Sequence, residues 1–423
     1  MKVAVIGLGY VGLPLTLLLS SKNYSVVAID KSIEKIEKLS KGVLPFSRKE
    51  PGIVDFFNKS KIKRNIVYSN SFEKLREVNT ILVSVDTPTR GKNPDYKSLK
   101  RALQSIAKNL NKKTTIIIES TLAPKTTNNL VIPIIEKYSS YKINEEFYVA
   151  VAPERIRPNY IFKQLTTLSR VIGISSPTIK NAIKKLYKDI TIGDLDFVDP
   201  TTAETVKTVE NTFRDVNIAF ANQVAIACEE LGVNVWKVRD LVNKSPFHNL
   251  HRPGSGVGGH CIPKDPWLLS SSVSNNKLSM IKDARRTNDN MPMHLFELFQ
   301  QALKEENIDP KKAKVCILGY SYVEDSDDTR NSPTILLIDI LKTKKINFTL
   351  HDPNVDGLNA NILNALKGAT CLILTVGHKE YKDLTLKKLD SLLKNKIIID
   401  GRNFFDKELL QKSGFTYKGI GNV

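Results

Sequence analysis

At 423 residues the chain is too long for one hydrophobic core, so two or three domains are expected. Hydrophobic content of 41% and charged content of 25% suit a soluble globular protein, and no apolar run approaches bilayer length, which argues against a membrane protein. A net charge of +19 raises nucleic-acid binding, but the lysines are spread over Lys59–Arg64, Lys311–Lys314 and Lys342–Lys345 with no aromatics interleaved for stacking, so a solvated basic surface is the expectation.

Residues 3–7, Val-Ala-Val-Ile-Gly, form a short apolar run and predict a buried parallel strand. The run leads straight into a glycine motif, unlike a signal peptide. Gly7-Leu8-Gly9-Tyr10-Val11-Gly12 fits G-x-G-x-x-G, and Pro14–Ser21 continues as a helix. A second apolar run, Ser25–Ile29, ends in Asp30, close to the spacing at which an acid meets an adenosine ribose. Gly7 would make the tight turn, Gly9 would let backbone approach a pyrophosphate, and Gly12 would allow close helix–strand packing. The helix N-terminus then offers N–H groups to phosphate. An acid at position 30 favours NAD over NADP through repulsion of a 2′-phosphate, an effect that the adjacent Lys31 softens.

Further strands are predicted at Ile81–Val85, Thr115–Glu119, Phe147–Ala152 and Val171–Gly173, with the first domain closing near residue 195. The segments after three of them carry Thr87, Thr121 and Glu154. In a doubly wound sheet all three face one crevice beyond the strand ends, the one a cofactor would occupy. From Pro200 to Leu231 a long helix is expected, ending at Gly232 as a C-cap. Lys207 and Asn211 are four apart and share one face, as a site or as a solvated surface. Shorter helices are expected at Asn234–Asn243 and Ser279–Asn290.

Between those helices lies Val257–Leu268, Val-Gly-Gly-His-Cys-Ile-Pro-Lys-Asp-Pro-Trp-Leu. It sets Cys261 after a glycine pair and four residues before Asp265, either as a covalent nucleophile or as a buried cysteine in a tight loop. The four cysteines, Cys228, Cys261, Cys316 and Cys371, form no C-x-x-C pair. Neither a metal site nor a disulfide framework is expected, and a reduced cytoplasmic setting follows. The last part restarts an α/β pattern at Lys314–Gly319, with a helix at Ser332–Lys342 and strands at Phe348–His351, Ala369–Val376 and Lys396–Asp400. The expected fold class is therefore α/β: two Rossmann-like doubly wound domains joined by a central helical domain with a long helix. The domains would span residues 1–195, 196–295 and 296–423, and two nucleotide-type folds suggest two nucleotide-bearing ligands.

Together these pieces resemble the UDP-glucose/UDP-N-acetylmannosamine 6-dehydrogenase family over nearly the whole length. The resemblance is carried by Gly7–Gly12, Ser120-Thr121, Pro153-Glu154-Arg155-Ile156, Val206-Lys207 with Glu210-Asn211-Thr212-Phe213-Arg214-Asp215, Gly258-Gly259-His260-Cys261 with Asp265-Pro266, and Asp327-Asp328-Thr329-Arg330 with Ser332-Pro333. It implies an NAD-dependent four-electron oxidation of a UDP-sugar C6 alcohol to a carboxylate, through a thiohemiacetal and a thioester on Cys261.

It also implies that Lys207 and Asn211 surround the C6 oxygen, that Asp265 orients a water and shares protons with Lys207, and that Glu154 is the base for thioester hydrolysis. Asp30 and Lys35 would meet the adenosine ribose, Thr87 and Thr121 the dinucleotide, with Thr121 also in the catalytic set, and Arg330 the pyrophosphate region. Leu8, Tyr10 and Val11 belong to the same cofactor turn. Arg155, Arg214, Arg252, the Gly254–Gly258 loop with Gly254, Gly256 and Gly258, and Arg402 would hold the sugar nucleotide, alongside Glu154, Lys207 and Asn211. A homodimer or higher homo-oligomer built on the long helix is expected.

Two positions depart from the family. Val323 stands where a basic residue usually meets the nucleotide, and Ser245-Pro246-Phe247-His248 stands where the N-acetylmannosamine branch often has His-Pro-Arg. His260 with Ile262-Pro263 is similar to the branch that oxidises N-acetylated sugars. UDP-N-acetylmannosamine is the first expectation, then UDP-N-acetylglucosamine or -galactosamine, then UDP-glucose. A non-catalytic nucleotide-sugar binding protein is the alternative from a different class, and NADH production would exclude it.

Overall fold

The computed structural model describes residues 1–45, 50–157, 159–274 and 277–422. They form two compact units, Met1–Glu210 with Trp267–Asn275, and Asn211–Pro266 with Asn276–Val423.

The first unit is built on eight strands: β1 (Lys2–Ile6), β2 (Ser25–Ile29), β3 (Ile66–Ser69), β4 (Thr80–Val83), β5 (Thr114–Ile118), β6 (Phe147–Val151), β7 (Arg170–Ile174) and β8 (Leu195–Val198). Their order is β8-β7-β6-β5-β4-β1-β2-β3. All neighbours run parallel except β6 and β7. The continuous apolar runs follow from burial on both faces. Val3 and Val5 enter one core with Leu13, Leu17 and Leu186, while Ala4 and Ile6 enter another with Leu103, Ile106 and Val131. Helix α1 (Gly12–Ser21) follows β1 directly, and α2 (Lys180–Ile190) lies between β7 and β8.

Helix α3 runs over Pro200–Glu230 as one 31-residue element. It stops where expected. Gly232 takes φ +66°, which glycine adopts without strain, and Val233 N–H returns to the Cys228 carbonyl at 2.9 Å. Its residues through Glu210 belong to the first unit and those from Asn211 to the second. Helix α4 covers Val235–Val242 and α5 Asp265–Ser271.

The second unit carries α6 (Ser279–Glu305), then β9 (Lys314–Leu318), α7 (Pro333–Thr343), β10 (Asn347–His351), β11 (Cys371–Leu374), β12 (Ile397–Asp400) and β13 (Thr416–Gly419). The sheet order is β10-β9-β11-β12-β13, all parallel. Helix α6 corrects the expected end at Asn290, since it continues through Pro292 to Glu305. An internal proline costs a helix about 3 kcal/mol. Here Met291, Leu295, Phe296, Leu298, Phe299, Ala302 and Leu303 are all buried in one core with Val315 and Ile317, and their burial outweighs that cost.

Candidate active site

In the first sheet β1 has β2 on one side and β4 on the other. The chain therefore reverses direction across the sheet at β1, and a crevice opens beyond the strand ends. Gly7 sits there with φ +90°, and a Cβ on it would lie 2.3 Å from the Ser84 carbonyl oxygen. A Cβ on Gly12 would lie 1.8 Å from the Gly7 oxygen, whereas one on Gly9 meets nothing within 4 Å. Two of the three glycines are thus demanded by packing, and the third keeps its approach open.

Asp30 is buried behind this turn. It accepts from Leu8 N–H at 2.8 Å, Ser32 N–H at 2.9 Å and Lys35 Nζ at 2.8 Å. Burial pushes its carboxyl up, but Lys35 and the two N–H groups outweigh that and hold it below its ordinary range. Helix α1 has no side-chain cap at Val11, which leaves its N-terminus suited to a phosphate. Tyr10 is exposed and Val11 half-buried. Thr87, buried, donates to the Thr121 carbonyl at 2.7 Å and so joins the segments after β4 and β5.

Glu154, after β6, lies in a buried cluster whose other members are absent from the site residues expected from sequence. Its Oε2 accepts from Arg170 Nη2 at 2.8 Å and its Oε1 from Arg155 N–H at 2.6 Å. Arg170 Nη1 reaches Glu119 at 3.3 Å, and its guanidinium lies 4.9 Å from the centre of the Tyr187 ring. Tyr187 donates its hydroxyl to Glu119. Burial pushes Glu119 up to about 7, against the pull of Arg170. A signal exists: Glu119 ends one apolar strand and Arg170 begins another, and a charge in an apolar run demands a partner. Arg155 itself pairs with Glu210 at 2.8 Å. Lys207 is buried on α3, one turn before Asn211. Glu204, also buried there, accepts from Thr127 N–H at 2.7 Å and hydroxyl at 2.6 Å.

In the second unit Cys261 is half-buried, while Cys228, Cys316 and Cys371 are fully buried. Burial pushes the last three thiols up, Cys316 to about 12, so they are the inert kind. The Cys261 sulfur lies 4.0 Å from His260 Nδ1, and its carbonyl accepts Asp265 N–H at 2.9 Å. Asp265, fully buried, accepts from Asn211 Nδ2 at 2.5 Å through Oδ2. Buried Lys264, absent from the sequence expectations, lies 3.4 Å from Oδ1, which takes no hydrogen bond among the described residues.

The glycine pair before Cys261 is clamped. Gly259 donates to the Arg330 carbonyl at 2.8 Å and accepts from Asn331 Nδ2 at 3.0 Å. A Cβ on Gly258 would lie 2.5 Å from Tyr322 Cβ, and one on Gly259 2.8 Å from the Tyr322 ring. The Gly254–Gly258 loop crosses the ends of β11 and β12. Ser255 donates to the Thr375 carbonyl at 3.0 Å, and Arg402 Nε donates to the same oxygen at 2.8 Å. A Cβ on Gly254 would lie 2.6 Å from Arg402 Nη1. Behind the loop, Gly254 N–H reaches Asn222 at 2.9 Å, Asn222 reaches Asn288 at 2.9 Å, and Asn288 reaches Asp215 at 2.8 Å, with Arg285 paired to the same carboxylate.

Of the remaining candidates, Arg214 and Arg252 are exposed, and the Arg330 fork grips its neighbour Asp328. Val323 and Phe247 are exposed, Phe247 by 90%. Among the described residues no group of three or more metal-ligating side chains forms.

Three family matches cover the chain, all for the UDP-glucose/GDP-mannose dehydrogenase family. They are its NAD binding domain at residues 1–191, its central domain at 201–290 and its UDP binding domain at 316–407. A UDP-N-acetyl-D-mannosamine dehydrogenase of Pyrococcus horikoshii is 37% identical, covering 100% of this chain and 99% of its own. The solved structure of the Pyrococcus horikoshii dehydrogenase matches with a TM-score of 0.95 over 100% of this chain and 99% of that one. An NDP-N-acetyl-D-galactosaminuronic acid dehydrogenase of Ralstonia solanacearum is 30% identical, covering 96% and 97%.

Proposed function

The chain belongs to the UDP-glucose/GDP-mannose dehydrogenase family and is an NAD-dependent oxidoreductase, and we propose that it oxidises UDP-N-acetyl-D-mannosamine at C6 to UDP-N-acetyl-D-mannosaminuronate. The observation that carries the chemistry is the Cys261 turn, a half-buried thiol behind a clamped glycine pair and beside buried Asp265. The sugar assignment rests on the Pyrococcus horikoshii relative and on the His260, Ile262, Pro263 pattern.

NAD, bound on the Gly7–Gly12 turn and Asp30, supplies the hydride acceptor for both oxidations. The open side of Gly9 and the paired Asp30 support that fit. In this reading Lys207 and Asn211 stabilise negative charge on the C6 oxygen, and Asp265 takes up the alcohol proton. The Cys261 thiolate adds to the aldehyde carbon, and the carbonyl oxygen takes a proton to give a thiohemiacetal. Loss of a second hydride to oxidised cofactor, with release of the thiohemiacetal hydroxyl proton, leaves a thioester. Water then attacks the carbonyl carbon, its proton passes to Glu154, and the carbon–sulfur bond breaks to release carboxylate and thiolate. One alcohol and one water yield one carboxylate, two NADH and three protons. Oδ1 of Asp265, which has the Lys264 ammonium 3.4 Å away but takes no hydrogen bond among the described residues, suits a carboxylate that receives one from water or substrate.

The division into residues 1–195, 196–295 and 296–423 is supported by the three matched segments. Exposed Val209, Phe213 and Phe220 on α3 support a homodimer, which sedimentation at micromolar concentration tests, a monomer refuting it. Among the described residues no helix is long and apolar enough to cross a membrane. A cytoplasmic role in supplying acidic sugar for polysaccharide fits this reading, and loss of the cell's uronate-containing glycan on gene deletion tests it. Assay of a UDP-sugar panel for NADH release decides the substrate. Two NADH per UDP-N-acetylmannosamine is expected, and a higher kcat/KM for UDP-glucose than for every N-acetylated sugar overturns the assignment.

A further inference from the structure

Glu154 does not stand alone at the end of β6. One guanidinium, Arg170, holds Glu154 at 2.8 Å with Nη2 and Glu119 at 3.3 Å with Nη1. All three side chains are buried, and so is Tyr187, which fixes the far side of Glu119 and carries Arg170 on its ring. The groups come from four places in the fold: Glu119 directly after β5, Glu154 three residues after β6, Arg170 from β7 and Tyr187 from α2. Removing charges from water is costly, and a buried pair of this kind is retained only where geometry repays it. Leucine or methionine would fill the same space at lower cost. The arrangement also points one way. Glu119 also takes the Tyr187 hydroxyl, whereas Glu154 takes no second side chain among the described residues and lies three residues beyond its strand, on the segment after β6.

We propose that Arg170, anchored on Glu119, is a positioning residue for Glu154, holding its carboxylate in one rotamer so that it accepts the proton of the water that cleaves the Cys261 thioester. The inference rests on the reading of Glu154 as the base for that step. Each Glu154 oxygen already takes one hydrogen bond, from Arg170 or from Arg155 N–H, so the carboxylate plane is fixed, while each oxygen keeps a second lone pair for water. A planar fork spans two carboxylates in a fixed geometry, which an ammonium cannot reproduce. Burial raises Glu119 to about 7 against the pull of Arg170, and the neighbouring Glu154 charge pushes the same way as burial.

The test is Arg170→Lys in the full-length enzyme with NAD and UDP-N-acetylmannosamine. The burst of two NADH should keep its wild-type rate, because Arg170 is not needed for hydride transfer. The covalent Cys261 adduct should then accumulate and be visible by intact mass. Steady-state kcat should fall by about 10- to 100-fold, less than the roughly 100- to 10,000-fold expected when the base itself is lost, because Glu154 remains. kcat/KM, which reports steps before hydrolysis, should stay within about twofold. Parallel loss of kcat and kcat/KM, or an unchanged kcat, overturns the proposal. If the lysine variant does not fold, the double replacement Arg170→Met with Glu119→Gln removes the pair together and must show the same split. Glu154→Gln separates the two claims. If it turns over normally with no adduct, the reading of Glu154 fails and this inference with it. If it accumulates adduct while the Arg170 variants do not, this inference alone fails.

Discussion

After β1 the chain runs Gly7-Leu8-Gly9, and after β9 it runs Gly319-Tyr320-Ser321. Both leading glycines have positive φ, +90° and +100°, and both press on the loop after the neighbouring strand, at Ser84 and at Val376. Each turn gives N–H groups to an aspartate that ends or follows the next strand, Leu8 to Asp30, and Tyr320 and Ser321 to Asp352 at 2.7 and 2.8 Å. Beyond that point they diverge. Gly9 faces open space, whereas Ser321 is fully buried and donates to the Val323 carbonyl at 3.0 Å. Asp30 pairs with half-buried Lys35, whereas Asp352 pairs with fully buried His378 at 3.0 Å. Helix α1 starts at Gly12, but α7 waits until Pro333, and the residues between reach back to clamp Gly259. One corner leaves its backbone open at Gly9, and the other is a strut for the Cys261 loop. In the second unit the polar groups suited to a ligand lie instead on the Gly254–Gly258 loop and Arg402.

That division of labour is most sharply broken or upheld at Cys261. Cys261→Ser should fall below about 1% of wild-type turnover, because a hydroxyl is a poor nucleophile at neutral pH. NAD and UDP-sugar affinities, read by calorimetry, should stay as in the wild type. Two NADH per sugar at the wild-type rate would end the thioester mechanism.

At the turns, the matched pair is Gly9→Val and Ser321→Ala. Gly9→Val fills the space a dinucleotide needs, so KM for NAD should rise about tenfold or more, worth about 1.4 kcal/mol, with an unchanged Tm. Ser321→Ala should do the reverse, costing about 1–2 kcal/mol of stability through the lost hydrogen bonds of a buried hydroxyl to the Val323 carbonyl and His378, while KM for NAD stays put. If Gly9→Val lowers Tm and Ser321→Ala raises KM, the two corners are not divided as argued.

A smaller effect is expected at Asp30. Asp30→Asn removes the charge that would repel a 2′-phosphate and leaves Lys35 without its 2.8 Å partner. The ratio of kcat/KM for NAD over NADP should narrow by about tenfold. An unchanged ratio means that Lys35 already neutralises the acid in the wild type.

Most of the fold is legible in the amino-acid sequence, for a physical reason. Strands buried on both faces give unbroken apolar runs, so β1, β2, β4 to β7, β9, β11 and β12 stand out, and edge strand β10 is legible through the apolar Phe348 and Leu350 before Asp352-Pro353. The strands without a signal, β3, β8 and β13, are all sheet edges with half-buried positions. The glycine turn and the Cys261 segment are legible because their parts are contiguous. Arg170 with Glu119 and Glu154 is not, because sheet order alone brings residues 119, 154 and 170 together. The end of α6 escapes a sequence reading because packing outweighs Pro292, which no local rule reports.

The smallest effect separates the two aspartates by pH and salt. Burial pushes Asp352 up, but His378 and the N–H groups of Ser321 and Tyr320 pull harder, leaving it at about 2 against an ordinary 3.8. A carboxylate lowered on folding adds stability that is complete above its unfolded value and lost as pH falls toward the folded one. Asp352 should therefore contribute fully above about pH 4 and lose its contribution between about 4 and 2. Asp30 is also lowered, so its contribution disappears in the same direction on acidification. The two differ in their partners. The Lys35 side chain is 26% exposed, so salt should screen its attraction for Asp30, whereas His378 and Asp352 are sealed from solvent and should be screened little. Urea midpoints taken from pH 5 down to pH 2, at low and high salt, resolve this. Asp352→Asn should flatten the acid loss at both salt concentrations, and Asp30→Asn only at low salt. If salt abolishes the Asp352 effect as well, the second corner is open to solvent, and its reading as a closed strut is wrong.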